Sequence, residues 1–199
     1  MTKSEIRSAK IHRKTSETEI QLSFDIDGEG KSKINSTVPF LDHMLDLFTK
    51  HGLFNLTVNA KGDTDIDFHH TVEDIGICLG QAFRESLGNA KGIHRYASGL
   101  IPMDESLCQI ALDISNRPHL SFKASFPKSK VGEFDVELVQ EFFQAFVNNS
   151  RVTLHINVLE GENLHHMIES SFKAFGIILD QATQKDPRKK DVPSTKGVL

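Results

Sequence analysis

The sequence lacks the features that mark secreted, membrane-spanning and nucleic-acid-binding proteins. It has only two cysteines, and Cys78 lies among the apolar residues of a predicted helix, so we expect buried free thiols in a reducing cytoplasm. The longest apolar runs are far too short to span a membrane, and Met1–Lys14 is polar and basic without the apolar stretch of a signal peptide. A net charge of −4 gives no broad attraction to nucleic acid or to a membrane surface. These absences leave a globular protein of one large domain or two small ones, which 199 residues allow.

Histidine is what the sequence has in excess, with ten in 199 residues. Two of them open the segment His69–Leu87, whose apolar residues recur at intervals of three and four as in an amphipathic helix, and Gly88 follows as a helix end. Glu73 can share a helix face with His69 or His70, because residues three or four apart are neighbours on a helix. Adjacent imidazoles point apart, so the pair suits two different metal ions better than one.

The same motif recurs 96 positions later as His165, His166 and Glu169, and Gly80 recurs as Gly176. A single pair of histidines would be explained as well by a capping and surface feature of an ordinary helix. Two pairs in register favour the duplication of a unit that carries metal ligands.

The elements predicted around the two motifs also repeat, and each half has the order β-β-β-α-β-α. The first half has predicted strands over 10–16, 19–26, 31–37 and 53–60, with helices that begin at 39 and 69. The second half has predicted strands over 96–103, 107–115, 119–126 and 152–159, with helices over 134–146 and from 165. Each half is too small to cover its own sheet, so we predict an α+β fold in which residues 1–92 and 93–185 pack helix against helix. Residues 186–199 are polar and are predicted to form a tail without a core of its own.

The side chains of the two motifs indicate a transition-metal site. Imidazole and carboxylate without thiolate suit Mn²⁺, Fe²⁺, Zn²⁺, Co²⁺ or Ni²⁺ better than Ca²⁺ or Mg²⁺. Each motif offers at most three ligands with diverging rings, so other histidines must contribute, and His43 and His155 are the candidates. Either of these two could equally be a hydrogen-bonded core histidine. With them, six histidines and two glutamates suffice for two sites of three imidazoles and one carboxylate, which leaves open positions for a substrate.

Seven stretches of the chain carry distinctive sequence: FLDHML (40–45), HHTVEDIGICLGQ (69–81), GIHRY (92–96), PMDE (102–105), NRPHL (116–120), LHINVLEGENLHHMIESSFKAF (154–175) and PSTKG (193–197). Together they resemble the imidazoleglycerol-phosphate dehydratases of histidine biosynthesis over essentially the whole chain. The resemblance implies a cytoplasmic, metal-dependent hydro-lyase that converts D-erythro-imidazole-glycerol phosphate to imidazole-acetol phosphate. It also implies a duplicated unit with helices between two mixed sheets (ribosomal protein S5 domain 2-like) and two Mn²⁺ ions per subunit, with other divalent transition metals possible. The family forms a hollow homo-oligomeric shell of roughly two dozen subunits.

The resemblance further assigns roles to individual residues. The metal ligands, which also take part in catalysis, become His43, His69, His70, Glu73, His155, His165, His166 and Glu169. Glu17 matches the family's substrate-contacting glutamate, although its place in a hairpin turn would by itself indicate an ordinary surface acid. His51 is a second candidate for proton transfer or substrate contact, although a histidine at the end of a helix needs no function. The phosphate-binding residues become Arg95, Arg117, Lys173, Ser194, Thr195 and Lys196.

Two residues depart from the family's pattern. His119 stands where the family usually has an aromatic residue after Arg-Pro, so we do not count it as a ligand. Asn116 stands where glycine is common, and asparagine tolerates the same left-handed backbone.

Two other functions would use a similar set of residues. A dinuclear metal phosphohydrolase also needs histidines, carboxylates and a phosphate pocket, but it would hold its ions about 3.5–4 Å apart. A metal-storage or metal-structured assembly protein would leave the separated arginines and the PSTKG tail unexplained. In all these cases we expect neither a nucleic acid nor a membrane as a partner.

Overall fold

The computed structural model describes residues 7–199, so the part of the Met1–Lys14 prediction that concerns residues 1–6 lies outside the described residues. The helices of this part of the chain are α1 Pro39–His51, α2 His69–Leu87, α3 Glu137–Ser150 and α4 Leu164–Thr183. The strands of the first half are β1 Ser8–Lys14, β2 Thr18–Asp25, β3 Lys31–Asn35 and β4 Asn55–Gly62. Those of the second half are β5 Tyr96–Met103, β6 Ser106–Asp113, β7 His119–Lys123, β8 Lys130–Val131, β9 Phe134–Asp135 and β10 Thr153–Glu160. Within residues 7–199, no helix is both long and apolar enough to cross a bilayer.

Two four-stranded sheets repeat one topology. The first has the order β1-β2-β4-β3 and the second the order β5-β6-β10-β7. In each sheet the first three strands run antiparallel and the last pair, β3 with β4 or β7 with β10, is parallel. The predicted α+β fold with two mixed sheets is therefore confirmed. The order β-β-β-α-β-α occurs in the first half, and the second half repeats it with the short β8–β9 pair inserted before α3.

The helices form a layer between the two sheets. Helix α2 packs on β1 and β2, and α4 packs on β5 and β6. Across the layer, α2 of the first half contacts α3 of the second, while α4 of the second half contacts α1 of the first. Buried aromatic rings fill the centre, where Phe48 of α1 stacks on Phe175 of α4 with ring centroids 5.0 Å apart. Each half thus covers its own sheet only with the help of the other, as its small size predicts.

Glycines allow the helices of the two halves to approach closely. A Cβ atom added to Gly80 of α2 would lie 2.5 Å from the carbonyl oxygen of Phe146 on α3. A Cβ atom added to Gly176 of α4 would lie 2.4 Å from the carbonyl oxygen of Phe48 on α1. These glycines occupy equivalent positions in the duplicated sequence, so the close approach of the helices is itself duplicated.

Alanine at either glycine should destabilise the protein. We expect Gly80→Ala and Gly176→Ala each to lower the free energy of unfolding by about 1–3 kcal/mol, because backbone atoms must move to admit the methyl group. The loss should outweigh the gain of roughly 1 kcal/mol that alanine brings to a helix interior. Chemical denaturation measures it. Gly99→Ala is the control, because its Cβ would meet only the flexible end of the Ile178 side chain at 3.0 Å. An equal loss at Gly99 would contradict the helix-approach argument.

The predicted helix over 134–146 is wrong at both ends. Phe134–Asp135 instead pairs with Lys130–Val131 in a short hairpin that turns at Gly132, whose φ is +59°. The helix starts at Glu137 and continues to Ser150, where Arg151 ends it in a left-handed conformation. The apolar side chain of Phe134 matches the helical spacing, and it is buried, but it belongs to the hairpin and not to the helix. The left-handed backbone expected at Asn116 is confirmed by its φ of 54°.

Both cysteines are free and buried, as the sequence predicts. Burial raises the pKa of the Cys78 thiol to about 12, and the neighbouring Asp74 carboxylate adds to the effect. Burial raises the pKa of the Cys108 thiol to about 11. Neither thiol is therefore present as the reactive thiolate at neutral pH.

The native protein should resist thiol reagents. At about pH 8 an aromatic disulfide reagent should label Cys78 and Cys108 far more slowly in the native protein than in denaturant, since only an accessible thiolate attacks. The absorbance of the released thiol measures the rate. Complete labelling of two thiols per chain in denaturant is the control. Rapid labelling of the native chain would show that these sites open readily.

Candidate functional site

Three predicted metal ligands meet where α1 packs against α4. His43, His165 and Glu169 each present a ligand atom, and these atoms all lie within 4.8 Å of one another. His165 Nε2 is 3.3 Å from Glu169 Oε2, and the rings of His43 and His165 have centroids 5.5 Å apart. The side chain of Asn163 accepts a hydrogen bond from the backbone N–H of His165 at 2.9 Å, which fixes the start of α4. Two imidazoles and one carboxylate are thus gathered by helix packing and a helix cap.

Lys173 holds the Glu169 carboxylate from one turn further along α4. Its Nζ is 2.6 Å from Glu169 Oε1, and the Glu169 side chain is only 9% exposed. Burial alone would raise the pKa of Glu169, but the Lys173 ammonium and the nearby imidazoles of His165 and His43 outweigh it, so that the pKa lies below its ordinary value. The carboxylate is therefore ionised and suited to a cation. At the end of α1, partial burial and the Lys173 charge lower the pKa of His51.

The motif of the first half opens α2. Asp67 accepts a hydrogen bond from the backbone N–H of His69 at 2.8 Å, and the rings of His69 and His70 stand 88° apart. His70 Nδ1 lies 2.9 Å from Asp63 Oδ2, and this contact raises the pKa of His70. Glu73 is half-buried one turn further along the helix. The two rings diverge, as adjacent helix positions predict.

Glu17 lies near this first motif. It occupies the turn between β1 and β2, and its Oε2 is 3.9 Å from His70 Nδ1. Half of its side chain is exposed. The carboxylate of Glu17 therefore stands beside the motif without being tied to it.

His166, in the second motif, is held by a carboxylate that the sequence analysis missed. Its Nδ1 lies 2.7 Å from Oε2 of Glu105, which sits in the turn between β5 and β6. The hydrogen bond to His166 and those from backbone N–H groups lower the pKa of Glu105 to about 2, and the same contact raises the pKa of His166. Asp63 was missed in the same way. The duplication offered a signal for Glu105, because its turn corresponds to the turn of Glu17.

The other predicted ligands do not join the cluster within one chain. His155 projects from β10 as an exposed residue, and its ring centroid is 5.5 Å from that of His119 on the neighbouring strand β7. Among residues 7–199, the group of His43, His165 and Glu169 is the one set of three potential ligands that the geometry brings together. The predicted ligands that remain outside it are His69, His70, Glu73, His155 and His166.

The predicted phosphate-binding residues form a second cluster. The buried guanidinium of Arg95 donates to both carboxylate oxygens of Asp113, at 2.7 and 3.2 Å, and to the carbonyl oxygen of Pro193 at 2.8 Å. The Asp113 carboxylate raises the pKa of Arg95 above its ordinary value and also lies 3.5 Å from Arg117. The contact with Pro193 brings the C-terminal tail to Arg95, which shares the Asp113 carboxylate with Arg117. Lys173, by contrast, lies in the histidine cluster.

The tail forms a turn directly after its contact with Arg95. The hydroxyl of Ser194 accepts a hydrogen bond from the backbone N–H of Lys196 at 3.2 Å, and its carbonyl accepts one from Gly197 at 3.0 Å. Thr195 and Lys196 are exposed at the tip of this turn. The PSTKG segment is therefore tied to Arg95 through the carbonyl of Pro193, while the side chains of Thr195 and Lys196 remain exposed.

Comparison with known proteins gives one consistent result. A family model described as "Imidazoleglycerol-phosphate dehydratase" matches residues 36–179. The chain is 62% identical to a protein of that name from Geobacter metallireducens over 193 residues, which cover 97% of this chain and 99% of the relative. It is also 62% identical to one from Bacillus velezensis over 194 residues, 98% of this chain and 100% of the relative. The crystal structure of the Staphylococcus aureus dehydratase superposes with a TM-score of 0.82 at 45% identity, covering 90% of this chain and 99% of that one.

Proposed function

Because the chain belongs to the imidazoleglycerol-phosphate dehydratase family and is a hydro-lyase, we propose that it removes water from D-erythro-imidazole-glycerol phosphate to give imidazole-acetol phosphate. The reaction belongs to L-histidine biosynthesis, which the names of the relatives imply. The observation that carries the proposal is the convergence of His43, His165 and the ionised Glu169 on one point. A cytoplasmic location is part of the proposal, because a reducing compartment preserves the free thiols of Cys78 and Cys108.

The donor set supports Mn²⁺ or a similar divalent transition metal as the cofactor, with two ions per subunit. Two imidazoles and a carboxylate without thiolate are the ligands such ions prefer. His43, His165 and Glu169 would hold part of one site, and the motif of the first half would hold part of the other. When bound, a divalent ion would stabilise the negative charge that develops on the substrate's imidazole ring as the adjacent hydroxyl leaves.

The incomplete motifs support an assembly of many subunits. Five of the predicted ligands lie outside the group of three and are exposed or half-buried in a single chain. Sites of three imidazoles and one carboxylate would be completed if neighbouring copies supplied the missing ligands. We therefore include in the proposal a closed shell of roughly two dozen subunits with symmetric contacts.

The remaining residues of the site would handle the proton and the phosphate. Glu17 has a half-exposed carboxylate 3.9 Å from His70, which suits acceptance of the proton from the substrate's glycerol side chain. His51 at the end of α1 is the second candidate for proton transfer or substrate contact, and partial burial together with the Lys173 charge lowers its pKa. The phosphate would be bound by the cationic and hydroxyl groups of Arg95, Arg117, Lys173, Ser194, Thr195 and Lys196.

One experiment tests the function directly. The protein is purified without oxygen, its metal content is measured, and the keto product formed from imidazoleglycerol phosphate is followed by its absorbance. We expect bound transition metal and formation of the keto product without release of phosphate. Release of inorganic phosphate in place of the ketone would support a dinuclear phosphohydrolase instead. Bound metal without either product would favour a metal-storage protein.

Chelation should break the assembly into small oligomers. Metal that binds only the assembled state stabilises that state, so removal of the metal removes the stabilisation. Sedimentation velocity before and after chelation measures the change in particle size, and added Mn²⁺ should restore the original particle. A particle of unchanged size after verified loss of metal would contradict the proposal that subunits share the sites.

A further inference from the structure

The second histidine of each motif has one ring nitrogen held by a carboxylate from another element. His166 Nδ1 lies 2.7 Å from Glu105 Oε2, and His70 Nδ1 lies 2.9 Å from Asp63 Oδ2. An ionised carboxylate can only accept a hydrogen bond, so Nδ1 must carry the proton. In the neutral imidazole this leaves the lone pair on Nε2, the nitrogen that points away from the carboxylate. Both contacts therefore select the same tautomer.

We propose that Glu105 and Asp63 are positioning residues that hold His166 and His70 with Nε2 free to bind the metal. The inference rests on the proposed function, since it assumes that these histidines are ligands. Carboxylates that accept a hydrogen bond from a ligating histidine fix the orientation of its ring and raise its basicity. The carboxylates of Glu105 and Asp63 would act through the two histidines without touching the metal or the substrate.

The Glu105 carboxylate is fixed by more hydrogen bonds than the one to His166. Besides His166, it accepts hydrogen bonds from the backbone N–H groups of Asn163 at 2.8 Å and Glu162 at 3.3 Å. These two residues immediately precede α4, which carries His166. The single carboxylate thus joins the β5–β6 turn to the start of the ligand helix and orients the ring at the same time.

The first half divides these tasks differently. Glu17 occupies the turn that corresponds to the turn of Glu105, yet it stays 3.9 Å from His70 and half-exposed. Its turn is held by the Thr15 hydroxyl, which accepts hydrogen bonds from the backbone N–H groups of Glu17 and Thr18. Because Asp63 holds His70, the carboxylate of Glu17 is released from the positioning role and remains available for proton transfer.

Two substitutions at Glu105 separate positioning from support of the turn. In Glu105→Gln the amide can still accept from the backbone of Asn163, but its N–H₂ group would donate to His166 Nδ1 and force the proton onto Nε2. Glu105→Ala loses the backbone contacts but leaves His166 free to adopt either tautomer. The holoenzymes are equilibrated with graded chelator and their Mn²⁺ content is measured, while thermal unfolding in excess chelator reports the stability of the turn.

We expect opposite rankings in the two measurements. Glu105→Gln should retain one of the two ions about 10–100-fold less tightly than wild type while keeping a near-normal unfolding temperature. Glu105→Ala should unfold at a lower temperature yet hold the metal better than Glu105→Gln. The same ranking in both measurements, or unchanged metal retention in Glu105→Gln, would overturn the inference.

Variants of the first half provide matched comparisons. Asp63→Asn should weaken retention of the other ion by a similar factor, whereas Glu17→Gln should retain both ions and lose turnover. If the wild-type protein binds no metal, the proposed function fails. If it binds two ions and Glu105→Gln and Asp63→Asn bind them equally well, only the positioning roles fail.

Discussion

Glu169→Gln should lose one metal ion per chain and reduce turnover by about 10²-fold or more, since removing even an outer partner of a metal ligand costs 10–100-fold. Glutamine keeps the shape of the side chain and its helix propensity but removes the charge that complements a cation. It also removes the carboxylate that pairs with the Lys173 ammonium at 2.6 Å and contacts the His165 imidazole at 3.3 Å in the wild type. Metal analysis and steady-state kinetics of the purified variant measure both effects.

The control for this substitution is Glu85→Gln, which makes the same chemical change at an exposed glutamate of helix α2. It should retain full metal content and turnover. Glu73→Gln should resemble Glu169→Gln but weaken the other site. If the variants at Glu73 and Glu169 both keep their metal and their activity, the assignment of these glutamates as ligands is wrong.

Removal of the tail after Val192 should impair use of the phosphorylated substrate by about 10²-fold or more, because charge-assisted hydrogen bonds contribute roughly 1.5–3 kcal/mol each. The tail reaches the arginines through the carbonyl of Pro193, to which Arg95 donates at 2.8 Å. Closure of this segment over a bound phosphate would also exclude water from the reacting ring. Metal content and particle size should not change. The ratio of kcat/KM between imidazoleglycerol phosphate and unphosphorylated imidazoleglycerol measures the effect.

Two point variants refine the truncation. Lys196→Ala removes one cation of the turn and keeps Leu199, which packs against the core. Lys190→Ala removes an exposed cation from the preceding basic run and should leave the ratio unchanged. Proportional losses on both substrates after truncation would remove the phosphate-binding role and leave the tail as a structural element.

Much of the fold follows from local signals in the sequence. Helices begin at Pro39 and His69 as predicted, and Tyr96–Met103 is a strand with its predicted bounds. The hairpin at Lys130–Asp135 escaped prediction because its strands are only two residues long, too short for a period. The parallel pairing of β3 with β4 depends on the chain crossing the sheet, which no single segment encodes.

The candidate site was predictable only in part. The two histidine motifs are local and repeat in register, so the sequence reveals them. That His43 meets His165 while His155 remains apart is a consequence of helix and strand packing between distant segments. Asp63 and Glu105 contact their histidines across 7 and 61 positions of sequence, through loops whose course follows from the sheets. No spacing rule predicts these two contacts, and the duplication marks only the turn in which Glu105 lies.

The reciprocal helix contacts carry a consequence for the ancestry of the chain. Helix α2 contacts α3, and α4 contacts α1. If the two halves are exchanged, each of these contacts takes the place of the other. Twofold homodimers make contacts of this kind, so a half-length ancestor that paired with its own copy would have had the same helical layer. Fusion of two such genes through the segment 88–95 would allow the two copies to acquire different residues at equivalent positions. Accordingly, Lys173 of the second half corresponds to Ile77 at the equivalent position of the first half.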